Sequence, residues 1–106
     1  MEHRLKKRCQ VSLGVTVHGR DGITLQGMAR DISTDGIFIQ LDQSTVSENA
    51  VVKIEFSHSG YLQGWVAHTG DEGIGVMFRS ISHHEKELIG QLCEKTHSMA
   101  KSTEAP

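Results

Sequence analysis

From Cys9 onward the apolar side chains fall on alternate positions, Cys9, Val11, Leu13, Val15 and Val17, with Gln10, Ser12, Thr16 and His18 between them. A repeat of two belongs to a strand with one buried face. His18-Gly19-Arg20-Asp21-Gly22 then reads as a turn, because its glycines tolerate positive φ. A second strand is predicted over residues 23–31, weakened by Gly27. Asp31-Ile32-Ser33-Thr34-Asp35-Gly36 interrupts the pattern, and Ile37, Ile39 and Leu41 resume it as a third strand. Residues 42–49 are mostly polar and predict a loop. Val52, Ile54 and Phe56 alternate with Lys53 and Glu55 in a fourth strand, and Ser57-His58-Ser59-Gly60 turns the chain into a fifth over residues 61–68 that carries Trp65. A sixth covers residues 73–78, with Ile74, Val76 and Phe78 on one face. Six short antiparallel strands with frequent turns predict a mainly β protein, a barrel or a sandwich.

The period changes after residue 80. Ser82 followed three residues later by Glu85 forms a capping box, and Leu88, Ile89, Leu92 and Cys93 make an apolar stripe at helical spacing. One amphipathic helix must bury that stripe, and the β layer is the surface that can receive it. Residues 97–106 are expected to be a disordered tail. A length of 106 residues predicts one domain, with the core over residues 9–96. The 37% hydrophobic content is enough for one core.

Composition excludes several classes. No run approaches the ~18 apolar residues of a membrane span, and the basic amino terminus leads into no signal-peptide hydrophobic region. Direct membrane insertion is therefore not expected. Two cysteines, Cys9 and Cys93, fit neither a disulfide framework nor a zinc spacing and point to a reducing, cytoplasmic compartment. Each reads as a small apolar residue, Cys93 on the helical stripe and Cys9 at the start of a buried strand face.

The net charge of −2 conceals an asymmetry. Residues 1–8 carry +3 and the remaining 98 carry −5. A DNA binder spreads its basic residues over a face, since each neutralised phosphate adds to affinity. Here the positive charge is a short arm over residues 1–8, expected to be mobile without ligand and better matched to a small anion. A charged terminus that is merely solvated is the plainer alternative.

Two segments carry candidate chemistry: Arg4-Leu5-Lys6-Lys7-Arg8, with arginines four apart, and the Asp31 to Gly36 stretch at a strand junction. An arginine fork donates paired hydrogen bonds to guanine O6 and N7 or to phosphate oxygens. The opposite guanine edge presents donors, for which the Asp31 carboxylate is an acceptor. Ser33 offers a hydroxyl to phosphate, and Gly36 allows close backbone approach. An equally simple reading has Asp31 and Ser33 forming side-chain turns to the backbone, with no ligand involved.

In this order the two segments resemble the PilZ family of bacterial cyclic di-GMP receptors, recognised by Arg-x-x-x-Arg just before the first strand and [Asp/Asn]-x-Ser-x-x-Gly after the second. Gly73-Ile74-Gly75-Val76-Met77-Phe78 also matches the family's late strand, and the similarity extends over residues 3–96. The resemblance implies a six-stranded antiparallel β-barrel with a C-terminal helix packed on it, and no catalytic activity or cofactor. It implies cyclic di-GMP as ligand, with Arg4 and Arg8 on phosphate and the guanine Hoogsteen edge, Asp31 on guanine, and Ser33 and Gly36 on other polar atoms. His3, before the first arginine, occupies a position that can influence ligand stoichiometry, and Lys7 adds general positive charge. Trp65 is either a core aromatic, the preferred reading, or part of the site's edge. With no effector domain in the 106 residues, the output is expected to pass to a separate, unidentified protein.

Rival readings are weaker. A PilZ-like module acting by protein contacts alone sits poorly with intact arginines. A small barrel for single-stranded nucleic acid needs exposed stacking platforms, and five aromatics are few. His84 and Glu87 share a helix face, but two ligands do not make a metal site. Scattered Ser, His and Asp residues do not define a hydrolase, and Gly73-x-Gly75 lacks the rest of a dinucleotide fingerprint.

Overall fold

The computed structural model describes residues 8–20, 22–41, 46–57, 59–79 and 81–104, with side chains through residue 94. Six strands follow one another, β1 (Cys9–His18), β2 (Thr24–Ile32), β3 (Gly36–Gln40), β4 (Val51–Phe56), β5 (Gly60–Thr69) and β6 (Gly73–Met77). A single helix, α1 (His83–Glu104), ends the described chain. All strand pairs are antiparallel, and the order β1-β2-β3-β6-β5-β4 closes on itself where β1 pairs with β4. Closure removes the unpaired edges that an open sheet of this size would expose. The expected six-stranded barrel with a carboxy-terminal helix is the observed fold.

The alternating pattern translates directly into the barrel interior. Val11, Val15 and Val17 of β1, Val52, Ile54 and Phe56 of β4, and Ile74 and Val76 of β6 are buried, while their neighbours in sequence face outward. Ile37 and Ile39 of β3 and Leu62 and Val66 of β5 complete the filling. Each fully buried aliphatic side chain of this size stabilises by about 1.5–3 kcal/mol. Val46, within the stretch expected to be a polar loop, is also buried against this core.

Two strands depart from strict alternation where the outer surface matters. In β2 the register shifts between Ala29 and Asp31, so Ala29 and Ile32 both point inward while Arg30 and Asp31 both stay outside. Without that bulge the alternation running through Ala29 would carry the Asp31 carboxylate into an apolar interior, which is costly for an unpaired charge. A similar shift in β5 between Val66 and His68 leaves Ala67 and His68 outside.

The capping box forms as expected. The Ser82 amide donates to Glu85 Oε1 at 2.8 Å, and the Glu85 amide donates to Ser82 Oγ at 3.1 Å. These bonds satisfy amides that the first helical turn leaves without partners. Ile89 and Leu92 are buried, flanked by half-buried Leu88 and Cys93, and α1 packs against β1. The helix continues to Glu104, into the segment expected to be a tail. The sequence supports that continuation, having no glycine or proline from Gln91 to Ala105. No described helix is long and apolar enough to cross a membrane.

Candidate functional site

The register of β1 and β2 sets the geometry. Cys9 lies opposite Ile32 and Gln10 opposite Asp31, so the residue preceding β1 arrives beside the last turn of β2. That residue is Arg8. Its Nε donates to Asp31 Oδ1 at 2.6 Å, and a terminal guanidinium nitrogen lies 2.6 Å from the same oxygen. The side chains are 48% and 31% exposed, so the pair sits at the surface, where a ligand can reach both partners.

The turn after β2 is built from the other two motif residues. The Ser33 amide donates to the Gly36 carbonyl at 2.9 Å, and Ser33 Oγ accepts the Asp35 amide at 3.0 Å. Ser33 is 1% exposed, the one buried polar side chain among the described residues. The Asp35 carbonyl in turn accepts the Phe78 amide at 2.9 Å, which ties this turn to the end of β6. Gly36 lies opposite Met77, and a Cβ added there would collide with the Val76 carbonyl. Its glycine is thus required by close approach of two strands.

The local-turn reading of Asp-x-Ser-x-x-Gly therefore describes Ser33 but not Asp31. Ser33 and Gly36 shape the turn, whereas the Asp31 carboxylate faces outward and takes Arg8. Arg4, His3 and Lys7, with the rest of the arm before Arg8, lie outside the described residues.

Trp65 is not in the core. Leu62, Gly64 and Val66 take the inward positions of β5, which turns Trp65 to the outer face, half-buried. There it pairs with Met77 on one side and Val51 on the other, and Met77 pairs with Gly36. Val51 and Met77 are 42% and 40% exposed. One outward ladder thus runs Gly36, Met77, Trp65, Val51 across four strands. The next rung holds Asp31, Phe38, Gly75 and His68. The guanidinium of Arg79 stands 6.0 Å from the centroid of the Trp65 ring, at the limit of a cation–π contact. A cavity of about 700 Å3 opens here, with Asn49, Gln63, Trp65, Arg79 and Glu85 on its walls.

Phe38, Met77 and Arg79 were not singled out in the sequence. The signal for Met77 was available, since Gly73, Gly75 and Met77 occupy the outward positions of a strand whose apolar face was already assigned. Arg79 had no such signal, because it follows the strand. Among the described residues no three His, Cys, Asp or Glu side chains cluster as metal ligands. On α1 it is His83, not His84, that meets Glu87, at 3.2 Å.

The model of the PilZ domain family matches residues 2–95. Among solved structures, the PilZ domain of CeSA from a cellulose-synthesizing bacterium is 20% identical, with a TM-score of 0.66 over 84% of this chain and 96% of that one. The PilZ domain of YcgR from Escherichia coli, solved with c-di-GMP, is 11% identical, with a TM-score of 0.72 over 92% and 94%. MrkH of K. pneumonia in its apo state is 14% identical, with a TM-score of 0.61 over 94% of this chain and 53% of MrkH. No curated protein matches the sequence.

Proposed function

Because this chain belongs to the PilZ domain family, we propose that it is a receptor for cyclic di-GMP that signals through a separate protein. The observation that carries this reading is the Arg8–Asp31 pair, which joins the two motifs into one polar centre at the barrel surface. A guanine base satisfies both partners. Its Hoogsteen edge accepts from the Arg8 fork, and its N1 and N2 donors suit the Asp31 carboxylate. Within the chain the two side chains satisfy each other, so a guanine that engages both must offer each a partner in exchange.

The remaining parts take supporting roles. Ser33 and Gly36 hold the turn that presents Asp31. The outward ladder of Met77, Trp65 and Val51 gives an apolar bed for a purine or the ribose edge, and stacking on Trp65 contributes about 1–3 kcal/mol per base. Arg79, over that ring, suits a nearby phosphate. Arg4 completes the phosphate clamp, and His3 and Lys7 add to it from the arm.

The ligand's two phosphates attract the +3 arm toward the barrel, an attraction between opposite charges that added salt screens. Movement of the arm changes the surface around the start of β1. A partner protein that reads this surface turns binding into output, with no reaction catalysed by the receptor.

Trp65 is the only tryptophan and so reports on the ladder directly. Titration with cyclic di-GMP is expected to change its emission saturably, and cyclic di-AMP and GTP to do so only weakly. An unchanged emission at saturating nucleotide removes Trp65 from the site.

A further inference from the structure

Ile37 and Ile39 of β3 fill the barrel interior, which turns the aromatic residue between them, Phe38, to the outer face, where it stays half-buried. In the barrel register Phe38 lies opposite Asp31 of β2 on one side and Gly75 of β6 on the other. Side chains paired across neighbouring strands stand about 4.5–5.5 Å apart at Cβ, so one ligand can touch both the ring and the carboxylate. Arg8 meets Asp31 from the other side, that of β1. The carboxylate is therefore flanked by a guanidinium and by a phenyl ring.

Gly75 leaves that ring uncovered on the β6 side. Gly36, Gly64 and Gly73 are glycines by necessity, because a Cβ at each would strike a backbone oxygen of the neighbouring strand. Gly75 is under no such constraint: a Cβ there meets only the Cβ of His68, at an ordinary 3.6 Å. Glycine weakens a strand interior, and where packing does not demand it, its bareness suits the close approach of another group to the backbone. Beside the ring a cavity of about 600 Å3 opens, with Arg30, Gln40, Asp71 and Glu72 on its walls. That volume lies within the range of small-molecule sites.

We propose that Phe38 is the stacking residue for the guanine that Asp31 reads, and that Gly75 keeps the approach to its ring open. The inference rests on the receptor reading above and adds to it the platform for one base. A flat base laid on Phe38 turns its edge to the neighbouring strand, where Asp31 accepts from N1 and N2. Stacking tolerates any base, so Phe38 supplies affinity while Asp31 supplies the choice of guanine. Trp65, on β5, is two inter-strand intervals from β3, about 10 Å, and is left for the ligand's second base.

Calorimetry of the full chain with cyclic di-GMP tests this. Phe38→Leu keeps an apolar side chain and removes the ring; it is expected to weaken binding about 5- to 150-fold, the range that loss of one base stack implies. Phe38→Tyr keeps the ring and is expected to bind as the natural chain does. Gly75→Val, which leaves Phe38 and Asp31 in place but covers the ring, should also weaken binding. Tyr61→Leu, which removes an exposed ring elsewhere on the barrel, should not. A spectroscopic reading is independent of any loss of stability: with Trp65 replaced by Phe, Phe38→Trp carries the sole tryptophan at the platform, and saturating cyclic di-GMP is expected to quench its emission. Binding by Phe38→Leu equal to that of the natural chain, or unchanged emission at position 38, would overturn the proposal and leave the receptor reading standing. A natural chain that binds no cyclic di-GMP would overturn both.

Discussion

Arg8 and Asp31, 23 positions apart, meet at 2.6 Å, with two guanidinium nitrogens converging on a single carboxylate oxygen. The contact spans the two motifs that define the candidate site and lies at the barrel surface. Exposed ion pairs contribute about 1 kcal/mol or less to stability. The same two groups are worth more to a ligand that presents both donors and acceptors.

Arg8→Ala is therefore expected to separate binding from folding. Calorimetry should show cyclic di-GMP affinity reduced by about 2–3 kcal/mol, roughly one and a half to two decades, because a paired charged contact is lost. Denaturant unfolding of the same variant should move by no more than about 1 kcal/mol. A large loss of stability with little loss of affinity would make Arg8 a structural residue.

Asp31→Ala tests base selectivity. In the proposed complex the carboxylate accepts from guanine N1 and N2, groups that adenine does not offer in that arrangement. The variant should lose cyclic di-GMP affinity while its weak affinity for cyclic di-AMP stays the same, so that the preference narrows. Equal losses for both nucleotides would assign Asp31 to the turn alone.

Gly36→Ala forces a methyl group into the Val76 carbonyl, between β3 and β6. A cost of about 1–3 kcal/mol is expected, read as a lower unfolding midpoint. Gly14→Ala is the control, since a Cβ there meets nothing within 4 Å. If both variants unfold alike, close approach is not what requires glycine at position 36.

Cys93 sets a pH limit. Unfolded, the thiol titrates near its ordinary 9.0, and in the fold it holds its proton to about 12, because of burial first and then of its neighbours Cys9 and Glu94. The folded chain binds more protons between these values, so this contribution to stability is complete below about pH 9 and declines as pH rises toward 12. Denaturant midpoints measured from pH 8 to 10.5 should fall more steeply for the natural chain than for Cys93→Ala. Parallel profiles would contradict a proton held by the fold.

Much of this architecture was legible because its determinants are local. The alternation in β1, β4 and β6 and the Ser82–Glu85 capping box are read from neighbours in sequence, and each has its structural counterpart. The bulge before Asp31 was not legible, since register is set by the partner strand and one unpaired residue leaves no mark in the pattern. For Trp65 the sequence leaves core and site edge both open, with core preferred. It lies outside because Leu62, Gly64 and Val66 fix the phase of β5, and Gly64, small and inward, obscured that phase in the sequence. The docking of α1 on β1 was hidden for a different reason: the apolar stripe alone does not specify which strand receives it. Of the candidate site, the motifs themselves were visible, whereas the Arg8–Asp31 pairing and the outward ladder needed the closed barrel.

The central claim is that the two motifs form one cyclic di-GMP site. Isothermal calorimetry of the natural chain with cyclic di-GMP, with cyclic di-AMP and GTP as controls, tests it most directly. Saturable binding of cyclic di-GMP, with weak or no heat from the controls, is the expected result. No binding by the correctly folded chain, or equal binding of all three nucleotides, would contradict it.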